Sequence, residues 1–138
     1  MASGLPRGGL ANASGGNLRV LIVEDERATA WALAERLGEE GFAAVTVTSA
    51  EQALRVLRRE PCDLVIADLR LPGLGGVNLI RRLARRKRAV PAIAITAHGT
   101  PALVRQVMGA GAVQCFLKPF RVELLVEGVR QALAREPG

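Results

Sequence analysis

Residues 63–76 read Asp-Leu-Val-Ile-Ala-Asp-Leu-Arg-Leu-Pro-Gly-Leu-Gly-Gly. After Asp63 comes an apolar run with no polar alternation, then Asp68, then a stretch punctuated by Pro72, Gly73, Gly75 and Gly76. A short run of this kind suits a strand covered on both faces of a parallel sheet. The Pro-Gly stretch is a turn. It leads into a segment of helical period, Gly76 to Lys87, with Val77, Leu79, Ile80 and Leu83 on its apolar face. Strand, carboxylate, turn and helix follow one another within a short length of chain.

The same alternation extends in both directions. Apolar runs occur at Arg19–Val23, Ala43–Val47, Asp63–Ala67, Pro91–Ile95 and Val113–Leu117. Helical periods lie between and after them. Ala28 to Glu40 places Thr29, Ala32, Leu33 and Leu37 on one face, with Gly41 as its stop. Ser49 is an N-cap for a helix through Ala53, Leu54 and Leu57 that Pro61 ends. Pro101 suits the first turn of a helix reaching about Met108, and Arg121 to Ala134 carries Leu124, Leu125, Val129 and Leu133. Five strands alternating with five helices predict an α/β domain with a parallel sheet and right-handed crossovers. The domain is expected over residues 18–135. A disordered Gly/Ala/Ser/Asn-rich leader is expected at 1–17, and a short tail or the start of a linker at 136–138.

Composition narrows the function. The 138 residues are 49% hydrophobic and 23% charged, a globular balance with enough chain for one core. Aromatics are 3%, which argues against base-stacking readers of single-stranded nucleic acid. Cys62 and Cys115 lie far apart with no zinc or CxxC spacing, as in reduced thiols of a cytoplasmic protein. The longest charge-free stretch, Ala89 to Val104, is interrupted by Pro91, Gly99 and Pro101 and is too short to span a bilayer. No membrane association is expected.

Ligands of open parallel sheets bind at the carboxyl ends of the strands. There the chain carries Glu24, Asp25 and Glu26 after the first strand, Asp68 after the third, Thr96 after the fourth and Lys118-Pro119 after the fifth. Clustered carboxylates suit a hard cation such as Mg²⁺, and a carboxylate beside it can attack a phosphoryl group. A lysine and a hydroxyl can hold the remaining phosphoryl oxygens. Glu26 is explained as a first-turn carboxylate facing a helix dipole. With His98 as the only histidine, no triad or multi-histidine metal site can form within one chain.

These strings, LRVLIVEDE, DLVIADLRLPGLGG, AIAITA and GAVQCFLKPF, together resemble the receiver domains of bacterial two-component response regulators from about Leu18 to Ala134. The resemblance implies a (βα)5, doubly wound, five-stranded parallel sheet of flavodoxin-like receiver fold. It implies Asp68 as phosphoacceptor, with Mg²⁺ held by Glu24, Asp25, Asp68 and the backbone carbonyl of Arg70. Thr96 and Lys118 match the switch hydroxyl and the lysine that pairs with the phosphoryl group. The Lys118–Pro119 bond matches a position where the family has a cis peptide. The implied partners are a sensor histidine kinase or a histidine phosphotransfer protein, then an output protein or a second copy. Nucleic acid would enter only through an output domain. The implied chemistry is self-catalysed aspartyl phosphorylation and dephosphorylation, not an enzyme acting on other substrates.

The chain departs from the family pattern at several points. The acidic pair is Glu24-Asp25 where two aspartates are usual, and Gly75 stands where an acidic residue is common. Cys115 occupies the switch position that usually holds Tyr or Phe. Phe116 falls on the opposite side of the strand and does not substitute for it. Arg70 and His98 either flank the phosphoryl group or are solvated loop residues. Arg55, Arg58 and Arg59, and then Arg81, Arg82, Arg85, Arg86, Lys87 and Arg88, form either solvated helix faces or a docking surface for an acidic partner, a domain or nucleic acid. Trp31 is expected to project away from the inner face of its helix.

Two further readings share this architecture. A flavin carrier would place its phosphate after the first strand, where Glu24-Asp25-Glu26 repels it. A phosphorylation-independent binding module, a pseudo-receiver, is the other.

Overall fold

The computed structural model describes residues 17–134. The elements alternate as β1 (Arg19–Val23), α1 (Arg27–Glu39), β2 (Ala43–Val47), α2 (Ala50–Arg59), β3 (Leu64–Asp68), α3 (Gly76–Arg85), β4 (Ala92–Thr96), α4 (Pro101–Ala110), β5 (Gln114–Leu117) and α5 (Val122–Ala134). All strands pair in parallel, in the order β2-β1-β3-β4-β5. This is the doubly wound (βα)5 fold. The residues read as a leader lie outside the described residues except Asn17, and so does the 136–138 tail.

Alternation along the strands sends side chains into two cores. Leu21, Val23, Val65, Ala67, Ala92 and Ala94 pack with α2, α3 and α4. Val20, Ile22, Leu64, Ile66, Ile93 and Ile95 pack with α1 and α5. Within β3 and β4, the face beneath three helices carries small residues beside Val65, and the other carries Leu and Ile. The central strands β3 and β4 are buried throughout. The edge strands β2 and β5 are only half-buried, because each has a neighbour on one side alone.

Several expected boundaries and faces shift. β3 and β4 each begin and end one residue later than expected, so Asp68 and Thr96 close their strands instead of following them. Asp68 is in register with Ile95 and Thr96 with Leu117. The Leu69 N–H then donates to Ile95 O at 2.9 Å, carrying the ladder past the carboxylate. β5 starts at Gln114 rather than Val113, whose N–H still bonds Ala92 O at 2.8 Å. On α1 the buried stripe is Ala30, Leu33 and Leu37, and Ala32 is exposed. Three- and four-residue steps from Leu33 lead to Ala30 and Leu37, whereas Ala32 is rotated away. On α5, Val126 and Ala132 join Leu125 and Val129 inside, and Leu124 faces outward. Trp31 projects away from the inner face of α1, as expected, and is exposed.

Caps set the helix starts. Ser49 Oγ accepts from Gln52 N at 3.1 Å, and Thr100 Oγ1 accepts from Leu103 N at 3.1 Å ahead of Pro101. At the far end of α5, Arg130 bonds Glu40 Oε1 at 2.6 Å and lies 5.3 Å from the Phe42 ring centre, tying α5 to the α1–β2 connection.

Candidate functional site

The carboxyl ends of β1, β3 and β5 converge on one point. Glu24 directly follows β1, and its N–H bonds Val47 O at 3.0 Å, which extends the β1–β2 ladder by one step. Its side chain is buried, with Oε2 accepting from Glu26 N at 3.1 Å. Asp68 is 5% exposed, and its Oδ1 accepts from Arg70 N at 2.8 Å. Lys118 reaches in from the end of β5, placing Nζ 2.8 Å from Asp68 Oδ2 and 3.0 Å from Glu24 Oε1. The peptide bond from Lys118 to Pro119 is cis, as the resemblance implied.

The electrostatics follow from burial and pairing. Burial pushes the Glu24 carboxyl above the ordinary carboxylate range; the neighbouring Lys118 only partly opposes this. Burial pulls Lys118 downward, but its hydrogen bonds to Asp68 and Glu24 outweigh that pull and hold the ammonium above its usual value. One cation thus bridges two buried carboxylates.

Asp25 is exposed beside this pair. Carboxylate oxygens of Glu24, Asp25 and Asp68 lie within 4.8 Å of one another. This all-oxygen, acidic donor set fits a hard divalent cation. Thr96 is fully buried at the end of β4, and its Oγ1 accepts from His98 N at 3.1 Å. Its backbone O accepts from Lys118 N at 2.7 Å, so the threonine and the lysine are joined through the β4–β5 ladder. Cys115 packs toward the α2–α3–α4 core and Phe116 toward the α1–α5 core, on opposite faces as alternation predicts. Burial raises the Cys115 thiol.

Two contributions to the site were not read from the sequence pattern. Gly76 brings the start of α3 against the end of β3: a Cβ there would lie 2.4 Å from Asp68 O and 2.6 Å from Leu69 Cα. Glu51, in the first turn of α2, accepts from Leu74 N at 2.8 Å and holds the β3–α3 loop. Gly76 was legible as part of a turn, but not as a close approach to Asp68. Glu51 was not singled out from the sequence.

The model of the response regulator receiver domain matches residues 20–130. The chain belongs to this family. It is a receiver domain of two-component systems. Over 121 residues it is 40% identical to the response regulator FleR of Pseudomonas aeruginosa, covering 87% of this chain and 26% of FleR. Over 121 residues it is 36% identical to the two-component response regulator PhoP of the same organism, covering 88% of this chain and 54% of PhoP. This receiver domain therefore spans between about a quarter and a half of these relatives. A solved response regulator from Thermotoga maritima superposes with a TM-score of 0.79 at 31% identity, over 86% of this chain and 99% of that one. Among the described residues of the receiver, no helix is long and apolar enough to cross a membrane.

Proposed function

We propose that this receiver accepts a phosphoryl group on Asp68 from the phosphohistidine of a sensor histidine kinase or a histidine phosphotransfer protein. The observation that carries the reading is Asp68 itself: a nearly buried carboxylate, held by Arg70 N and Lys118 Nζ, inside a cluster with Glu24 and Asp25. A carboxylate oxygen attacks phosphorus, the phosphorus–nitrogen bond of the donor breaks, and an acyl phosphate forms. Glu24, Asp25, Asp68 and the carbonyl of Arg70 are the residues that would hold Mg²⁺. Bound there, the ion supplies positive charge that offsets repulsion between the carboxylates and the incoming phosphoryl group.

The protein's own groups do the rest. Lys118 is the cation already in contact with Asp68, and its ammonium balances charge on the transferred group. The Thr96 hydroxyl leaves the His98 N–H and turns to a phosphoryl oxygen, which ties the β4–α4 loop to the modification state. Loss of the phosphoryl group to water resets the receiver. Thr96 and Cys115 stand at the switch positions, with a thiol replacing the aromatic ring. The working unit is residues 18–135 of a cytoplasmic protein, and its output is altered binding to a downstream protein or a second copy. The binding-only reading is not favoured, since Asp68, Lys118, Thr96 and the acidic pair are all present.

The test is the intact mass after incubation with a small phosphoryl donor and Mg²⁺, and with a histidine kinase, beside Asp68→Asn. The expected result is one labile phosphoryl group, lost in Asp68→Asn and in chelator. Labelling that survives Asp68→Asn, or folded protein that no donor labels, overturns the proposal.

A further inference from the structure

At the other end of the sheet, where β3, β4 and β5 begin, the surface opens into a groove of about 810 Å³. Its floor is apolar, with Leu57 from α2, Val90 before β4, Val113 before β5 and Leu133 from α5. One lip is Arg86, Lys87 and Arg88, all exposed. Asp63 is the one acidic residue in the lining, and its Oδ2 already accepts from Arg19 N at 2.7 Å.

The cations continue onto α3 through exposed Arg82 and Arg85. No ion pair among the described residues involves Arg82, Arg85, Arg86, Lys87 or Arg88. Arg82 and Arg85, in the last turn, complement the helix dipole. The dipole's influence fades beyond that turn, so it gives no account of Lys87 and Arg88. Arg86 caps α3 with an extended backbone and carries the positive charge off the helix end. These five cations, none of them ion-paired among the described residues, make a surface to which an anionic occupant is complementary.

We propose that this groove docks an acidic amphipathic polypeptide segment. Its carboxylates meet Arg86, Lys87 and Arg88, and its apolar side chains cover the half-buried Val90, Val113 and Leu133. A nucleic-acid backbone matches the cations but leaves the apolar floor uncovered, and no aromatic residue lines the groove to stack a base. The chain's own residues 1–16 contain no carboxylate side chain and add Arg7, so their charge does not match. The proposal does not rest on the chemistry of Asp68, which lies at the opposite end of β3.

The test is fluorescence anisotropy of the full chain with a labelled peptide carrying Glu and Leu on opposite faces at helical spacing. The comparison probes are a Glu–Ser peptide of equal charge and a labelled DNA duplex. Saturable binding of the Glu–Leu peptide is expected. It should weaken at least about tenfold in Arg86→Glu/Lys87→Glu/Arg88→Glu, and also in Leu133→Glu, with both variants shown folded by thermal melts. Four outcomes overturn the proposal: no binding of the Glu–Leu peptide, equal binding of the Glu–Ser peptide, tighter binding of the duplex, or affinity unchanged by charge reversal.

Discussion

Lys118 Nζ stands 2.8 Å from Asp68 Oδ2 across 50 residues of chain, and the same ammonium reaches Glu24 Oε1 at 3.0 Å. A single side chain just past the end of β5 therefore holds together two carboxylates that would otherwise be buried side by side. The stability of this end of the sheet and its chemistry depend on the same contact.

Replacing Lys118 with methionine keeps the side-chain length and removes the charge. The expected loss is about 3 kcal/mol, because two carboxylates are left without their cation. Urea unfolding in metal-free buffer measures it. Adding Glu24→Gln to that variant should recover part of the loss, since one of the two opposed charges is then gone.

The raised Glu24 carboxyl sets a pH dependence. Between the ordinary carboxylate value and the raised one, folded protein keeps a proton that the unfolded chain has released. Stability therefore declines as pH rises through that window. In metal-free buffer, Glu24→Gln should flatten this decline in thermal melts taken across the acidic range. An identical slope in the variant would place the titration elsewhere.

Gly76→Ala drives a methyl group into the backbone at Asp68 O and Leu69 Cα. Backbone atoms at the end of a central strand cannot move aside cheaply, so a loss of about 1–3 kcal/mol is expected. Because the displaced atoms belong to Asp68 and its neighbour, the phosphorylation rate should fall as well. Gly75→Ala is a useful contrast: nothing lies within 4 Å of its Cβ position, and its penalty comes from the backbone angle, φ +86°.

Both thiols are raised by burial, Cys62 in spite of Arg19 nearby, so neither has much thiolate at neutral pH. Alkylation of native protein should be several-fold slower than in denaturant and should accelerate with pH. Cys115 is half-buried and Cys62 is buried, so peptide mapping should find Cys115 modified first. Rapid labelling of native Cys62 would contradict the packing described here.

Much of this architecture was legible residue by residue. Ser49 as a cap, Gly76 opening a helix, and Cys115 and Phe116 on opposite faces all follow from short-range geometry. The misreadings were also local. Ala32 and Leu124 are apolar residues beside the buried stripe, and apolarity alone does not say which neighbour turns inward. Asp68 and Thr96 read as residues after their strands because polarity usually ends a buried run. The ladder continues through them because their backbone partners, not their side chains, decide where a strand stops.

Strand and helix periods, the turns, and the four motifs that mark a receiver are properties of neighbouring residues, so sequence alone was enough to establish them. The strand order β2-β1-β3-β4-β5 is not such a property. Nor is the bridge from Lys118 to Glu24, which spans 94 residues. Those depend on how the sheet is ordered and registered, which is settled by burial on its two faces. Only that assembly brings Glu24, Asp68 and Lys118 to one point, and gathers the apolar floor beside Arg86–Arg88 at the other end.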